Sequence, residues 1–213
     1  METKTNLFSL LNIFVFLAST THGLNQDFCV ADTTRPETPA GFPCKKVENV
    51  TANDFVFKLR YPTDKIPPFN FGAVAGFAPQ FPGLNGLGLS VLRTDMPVDG
   101  VVPLHSHPRE SELVLATAGK ITVGFISSSN VVYFNTLGVG DTMILPPGLM
   151  HFEINVGDSA STFFAVFNSQ SPGLQITSNA LFGNSMSTDL LESVTLIAAS
   201  EIKKLKAVFG GSN

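Results

Sequence analysis

The sequence is short of charge, of cysteine and of histidine, and each shortage removes a class of function. Charged residues make up 14% of its 213 positions against 44% hydrophobic ones, a balance that supports a large buried core and argues against a disordered chain. The formal charge is -4 with 13 Lys and Arg, so the clustered positive surface that a nucleic-acid partner requires is missing. The one basic cluster, Lys203, Lys204 and Lys206, falls in a helical pattern and reads as a solvated helix face. Beyond the N-terminus no segment approaches the roughly 20 apolar residues of a membrane span. No internal repeat divides the chain, and its length fits one barrel or sandwich domain.

The first residues read as a targeting signal. Lys4 precedes an apolar stretch from Leu7 to Ala18, broken only by Ser9 and Asn12. That is too short to cross a bilayer, and Gly23 is the expected cleavage point before Leu24. The expectation is an exported protein with a leader over 1–23 and one domain over 24–213. Cys29 and Cys44 are the only cysteines. In an oxidising compartment the default for such a pair is a disulfide, worth about 3 kcal/mol for a loop of this size. A catalytic thiol or a metal pair is the competing reading, though no third cysteine or nearby histidine completes such a site. Asn49-Val50-Thr51 is the one glycosylation sequon, with Asn49 as acceptor.

Residues 24–86 are rich in Pro, Gly, Asn and Phe and read as an extended arm with short strands such as Val56-Phe57-Lys58-Leu59. From Leu87 short strands follow closely, punctuated by Gly and Pro. They are Leu89 to Leu92, Val114-Leu115, Ile121 to Ile126, Val131 to Phe134, Met143 to Leu145, Phe152 to Ile154 and Thr162 to Phe167. This spacing predicts an all-β sandwich or jelly roll. Near the C-terminus Asp189 with Glu192 reads as a capping box. Ser200 opens a second helix with Ile202, Leu205 and Phe209 on one face, ended by Gly210-Gly211. Such helices either grip a neighbouring subunit or fold back on their own barrel.

Of four histidines His22 lies in the leader, and the other three fall in two short segments. His105 and His107 are two apart, so on a strand both imidazoles face one side. Glu112 follows after an odd interval, but Pro108 breaks the strand and lets a turn bring Glu112 back inward. His151 follows Pro147-Gly148, a turn that returns the chain. Taken singly, a His-x-His pair reads as surface, Glu112 as a solvated carboxylate and His151 as a hydrogen-bonded core residue. Taken together, two imidazoles with a carboxylate form a ligand set suited to Mn, Fe or Zn.

The two segments match the two motifs of the cupin family. The first, G-x5-H-x-H-x4-E-x6-G, is met by His105, His107, Glu112 and Gly119, with Asp99 in the place of the opening glycine and Gly100 beside it. The second, G-x5-P-x-G-x2-H-x3-N, is met in full by Gly140, Pro146, Gly148, His151 and Asn155. Gln26-Asp27-Phe28-Cys29-Val30-Ala31-Asp32 with Gly41-Phe42-Pro43-Cys44-Lys45 resembles the start of plant germins and germin-like proteins. Phe167 to Gly173 is similar to their later strand and turn. Phe81-Pro82-Gly83-Leu84-Asn85-Gly86-Leu87-Gly88 resembles the auxin-binding-protein-type branch. The resemblance implies a single jelly-roll barrel with Mn²⁺ held by His105, His107, Glu112 and His151. It also implies a Cys29–Cys44 pair and C-terminal helices that clasp a hexamer built from three dimers.

Members of this family include oxalate oxidases, superoxide dismutases, nucleotide-sugar phosphodiesterases and auxin-binding proteins. The oxalate oxidases resemble one another in two asparagines that reach toward the substrate, and the matching positions here are Leu92 and Val102. Neither side chain donates a hydrogen bond to a dicarboxylate, which argues against oxalate oxidation. The leading expectation is an apoplastic Mn protein with superoxide dismutase activity in defence or wall processes. The alternative is a binding protein for auxin or another organic acid, in a pocket lined by Leu92, Val102, Met143 and Met150. A metal-assisted reaction on a larger metabolite is a third.

Overall fold

The computed structural model describes Leu24, residues 26–62 and residues 65–212; the expected leader lies outside them. Ten strands form: β1 (Gly72–Gly76), β2 (Ser90–Met96), β3 (Val101–Ser106), β4 (Glu112–Ala118), β5 (Ile121–Ile126), β6 (Val132–Leu137), β7 (Thr142–Leu145), β8 (His151–Asn155), β9 (Ser161–Phe167) and β10 (Gln175–Ile176). They build two antiparallel five-stranded sheets in the orders β1-β2-β9-β4-β7 and β10-β3-β8-β5-β6. The architecture is all-β, the jelly-roll sandwich that the closely spaced strands predict.

Period-two alternation fills the space between the sheets. On β9 Ser161, Phe163, Ala165 and Phe167 are buried, and on β4 Glu112, Val114 and Ala116 are. With Met96, Ile121, Val123, Leu137 and Leu145 the apolar members form one core. Burial of side chains this large, at roughly 1.5–3 kcal/mol each, drives the sheets together. At the turn after β2, Asp99 adopts φ 61°, the left-handed region where the family motif has glycine. A short polar side chain tolerates that region, so the departure leaves the turn intact. Gly119 at the β4–β5 hairpin has φ 71°, and a Cβ there would lie 2.8 Å from the Ala160 carbonyl oxygen, so this motif position requires glycine.

Asn155 shows what the last motif residue does. It is buried, and its Nδ2 donates to the carbonyl oxygens of Met96 at 3.2 Å, Pro97 at 2.8 Å and Ser159 at 2.8 Å. Its Oδ1 accepts from the Gly157 amide at 3.0 Å. One amide thus ties the end of β2 to β8 and to the loop before β9.

The N-terminal arm departs from expectation at Val56 to Leu59. Residues 47–55 hold two 3₁₀ turns, Val47–Asn49 and Ala52–Phe55, and no strand follows. The position beside β2 is taken by β1, and the segment packs through its side chains instead, Phe57 stacking on Phe81 with ring centroids 5.6 Å apart. Cys29 and Cys44 are joined in a disulfide that closes the arm.

Three helices follow the barrel: α1 (Thr177–Phe182), α2 (Thr188–Thr195) and α3 (Ala199–Phe209). α1 has no counterpart in the sequence reading. α2 is capped by Ser187, whose side chain accepts from the Leu190 amide, and Asp189 sits within the first turn. There its charge meets the positive helix end. Glu192 instead accepts from the Ala199 amide at 3.1 Å, before α3. Phe182, Leu191 and Ile202 form a second core, with Leu205 and Phe209 packed on it. Gly210, with φ 77°, ends α3. Lys203 and Lys204 are exposed, but Lys206 is buried, with Nζ donating to the carbonyl oxygens of Asn184 at 3.2 Å and Ser212 at 2.5 Å. Its apolar stem covers the helix core while the ammonium satisfies main-chain acceptors. Among the described residues no helix is long and apolar enough to cross a membrane.

Replacing Asn155 by Ala leaves buried carbonyls without their donor, so a loss of about 1–3 kcal/mol is expected. It should appear as a lowered urea midpoint with an unchanged slope; a midpoint equal to that of the wild type would contradict the tie.

Candidate metal centre

His105 and His151 face each other across paired strands, since β3 and β8 align residue 105 with residue 151. The register breaks between Val102 and His105. Those two residues are three apart, an odd interval that would send them to opposite faces of a regular strand. Pro103 lies between them without an amide hydrogen, and the bulge turns both side chains inward. β3 ends at Ser106, so His107 lies just past the strand, and after the turn at Pro108 β4 begins with Glu112. All four side chains are buried, and one ligand atom from each lies within 4.8 Å of the others.

The main chain fixes the chemistry of the three imidazoles. His105 Nδ1 donates to the Pro103 carbonyl oxygen at 2.7 Å and His151 Nδ1 to that of Leu149 at 2.8 Å. His107 Nδ1 donates to the Gly173 carbonyl oxygen. With the proton held on Nδ1, each Nε2 carries a lone pair turned toward the cluster. Glu112 Oε2 stands 3.4 Å from His107 Nε2 and 3.2 Å from His151 Nε2. Neither Glu112 Oε2 nor His151 Nε2 has a hydrogen-bond partner among the described residues. Buried, unpartnered and convergent, these donor atoms fit a cation with nitrogen and oxygen ligands.

Burial also sets the charges. It pushes the His105 imidazolium down to about 3, helped by neighbouring His151. His107 is lowered by burial as well, against the opposing pull of Glu112. Glu110, whose carboxyl lies 3.9 Å from His107 Nδ1, is pushed up to about 8 by burial and by Glu112. Glu153 is raised well above the ordinary carboxylate range by the same two causes. Glu110 and Glu153 were missed in the sequence. For Glu153 a signal existed, since it stands two residues after His151 on a strand and must share its inward face.

A cavity of about 200 Å³ opens on the cluster, walled by Phe71, Phe77, Leu92, Val102, Phe163 and Ile176, with His105, His107, Glu112 and Glu153 as its ionisable groups. Of the four pocket candidates, Leu92 and Val102 are among its lining residues and Met143 and Met150 are not. Met150 precedes inward-facing His151, so alternation turns it outward, and it is 41% exposed. Met143 faces inward on β7 but pairs with Val114, a full pleat beyond the Glu112 and Leu145 pair, and packs on the core away from the cavity.

Residues 67–203 match the cupin family. The auxin-binding protein ABP20 of Prunus persica is 45% identical over 214 residues, covering 100% of both chains. Germin-like protein subfamily 3 member 1 of Arabidopsis thaliana is 48% identical over 203 residues, 93% of this chain and 98% of that one. A solved oxalate oxidase superposes with a TM-score of 0.83 at 31% identity, covering 89% of this chain and 98% of the other. A full-length match at this identity, with both histidine segments meeting inside the barrel, makes the chain a germin-like member of the cupin family.

Proposed function

We propose that His105, His107, Glu112 and His151 hold one divalent ion, Mn²⁺, and that the protein is an exported superoxide dismutase of the apoplast, acting in defence or wall processes. The observation that carries this reading is the set of three Nδ1 hydrogen bonds to main-chain carbonyls, which leave three imidazole lone pairs and one carboxylate aimed at a common buried point. Bound manganese would supply one-electron redox capacity and Lewis acidity there. The chain's own contribution is to keep His105 and His107 neutral, hold the carboxylate of Glu112 against them and shut out bulk water with Phe167, whose ring lies 4.9 Å from that of His107. A small anion needs no further recognition to react. Oxalate does, and Leu92 and Val102 offer it no donor.

A second reading rests on the cavity. Its walls are mostly apolar, and among similar proteins several carry the name auxin-binding; binding of an organic acid at the metal is therefore the alternative role, as receptor or store. Export and assembly belong to the same proposal. Asn49 is exposed, as a glycan acceptor must be. Leu190, Val194 and Val208 on the helices and Leu196 just past α2, with Leu113, Ile144 and Val166 on one sheet, leave apolar surface exposed. Further copies in a hexamer of three dimers would cover it.

Mature protein is expected to begin near Leu24 and to show no free thiol until reduced; an intact Met1 with titratable thiols would overturn export. Elemental analysis should find one Mn per chain, lost in His107→Ala. The loaded protein should dismutate superoxide in proportion to its metal and form no peroxide from oxalate. Robust oxalate turnover would show that Leu92 and Val102 do not select the substrate.

The metal-free protein should be most stable at mildly acidic pH. His105 titrates at about 3 when folded against 6.5 ordinarily. Below pH 6.5 the unfolded chain therefore takes up a proton that the folded one refuses, and stability falls as pH falls. Glu110, at about 8 against 4.5, works the other way: the folded protein keeps a proton that the unfolded chain releases, and stability falls as pH rises from 4.5 to 8. Each slope is about 1.4 kcal/mol per pH unit. Lowered His107 adds to the first slope and raised Glu153 to the second, so melting temperature should decline above pH 6.5, where only the carboxyl slopes remain, and below pH 4.5, where only the imidazole slopes remain. A steady rise from pH 5 to 8 would contradict it.

A further inference from the structure

Glu153 is the one ionisable group of the cavity that the metal reading leaves without a task. It is 1% exposed, lines the cavity, and neither carboxylate oxygen has a hydrogen-bond partner among the described residues. Nothing in the fold explains a carboxylate there, because its neighbours in register are apolar: Val102 on β3 and Val123 on β5. Burying a polar group without a partner is unfavourable, and such a group aimed into a cavity is one that awaits a ligand.

Its position says which kind. β8 points His151 and Glu153 to the same side two residues apart, which separates the metal cluster from the carboxylate by roughly 7 Å along the strand. Between them the walls are Leu92, Val102 and the rings of Phe71, Phe77 and Phe163. No Lys or Arg lines the cavity. No cation is there to hold a second acid group of a ligand, whereas an N–H or O–H would give a Glu153 carboxyl oxygen its missing partner. The aromatic walls and the volume of about 200 Å³ suit a flat one- or two-ring body.

Resting on the metal reading above, we propose that Glu153 is a specificity-determining residue. It accepts a hydrogen bond from a ring N–H or hydroxyl of a small aromatic monocarboxylate whose acid head lies at the four-residue cluster.

The test is calorimetric titration of the manganese-loaded mature protein with indole-3-acetate and with 1-naphthylacetate. These have the same acid head and similar rings, but only the first carries a ring N–H. The indole acid is expected to bind about three- to tenfold more tightly, the ratio of one net hydrogen bond. In Glu153→Met the ratio should collapse toward unity with metal retained; Glu153→Gln, which keeps an acceptor oxygen and the shape, should still favour the indole acid. Equal binding of the two acids to fully loaded wild type, no binding of either, or a preference that survives in Glu153→Met overturns the proposal and leaves the metal reading standing. Wild-type protein that binds no manganese removes the metal reading, and this proposal with it.

Discussion

Three imidazoles can face one another at a barrel's end only if each has its other nitrogen tied to the frame. Here the ties run from Nδ1 to the carbonyls of Pro103, Gly173 and Leu149, and much of the nearby architecture serves them. The bulge at Pro103 both turns His105 inward and offers the carbonyl that orients it. Leu149 stands two residues before His151 and does the same for that ring. The third tie reaches farther, to the turn after β9, where the Arg109 guanidinium packs on Gly173 and its Nε donates to the Ser171 carbonyl oxygen at 2.8 Å. The cluster is thereby joined to both sheets and to the loop that leads into α1.

That arrangement opposes folding until something binds. Glu112 Oε2, His151 Nε2 and both carboxyl oxygens of Glu110 and Glu153 are buried without hydrogen-bond partners among the described residues, and each such group disfavours the folded state on its own. The surrounding core of Phe163, Phe167, Ile121 and their neighbours offsets this through apolar burial alone. A cation at the cluster would satisfy Glu112 and His151 directly, so metal affinity and folding stability are coupled. Polar groups at one end and hydrocarbon at the other make the barrel interior a scaffold below and a site above.

Much of this was legible because ligands and frame residues sit at fixed intervals. The paired histidines, Glu112 after a proline turn, and His151 after Pro147-Gly148 all follow from short-range geometry. So does Asn155, although the sequence does not reveal that its amide reaches the distant carbonyls of Met96 and Pro97 as well as that of nearby Ser159. What stayed hidden depended on register. Met143 and Met150 looked like cavity lining because they flank the site in sequence, yet one is a pleat too deep and the other on the wrong face. Lys206 looked solvated until Asn184, in the loop after α1, and Ser212, past α3, supplied carbonyls around it. The bulge at Pro103 has no sequence signature separating it from an ordinary break, and without it Val102 would not reach the cavity.

The division between ligands and walls has a consequence for how one barrel can serve several chemistries. Glu112 opens β4 and His151 opens β8, while His105 and His107 lie at and just beyond the end of β3. Turns and main-chain carbonyls therefore fix the four positions. The walls come from strand interiors: Leu92 from β2, Val102 from β3, Phe163 from β9 and Glu153 from β8. A change at any wall position alters shape and polarity without moving a turn, so selectivity can drift while the ligand geometry holds. Between apolar Leu92 and Val102, Glu153 is the polar group that the wall adds beyond the cluster, and a change there would alter the cavity's hydrogen bonding without moving a turn.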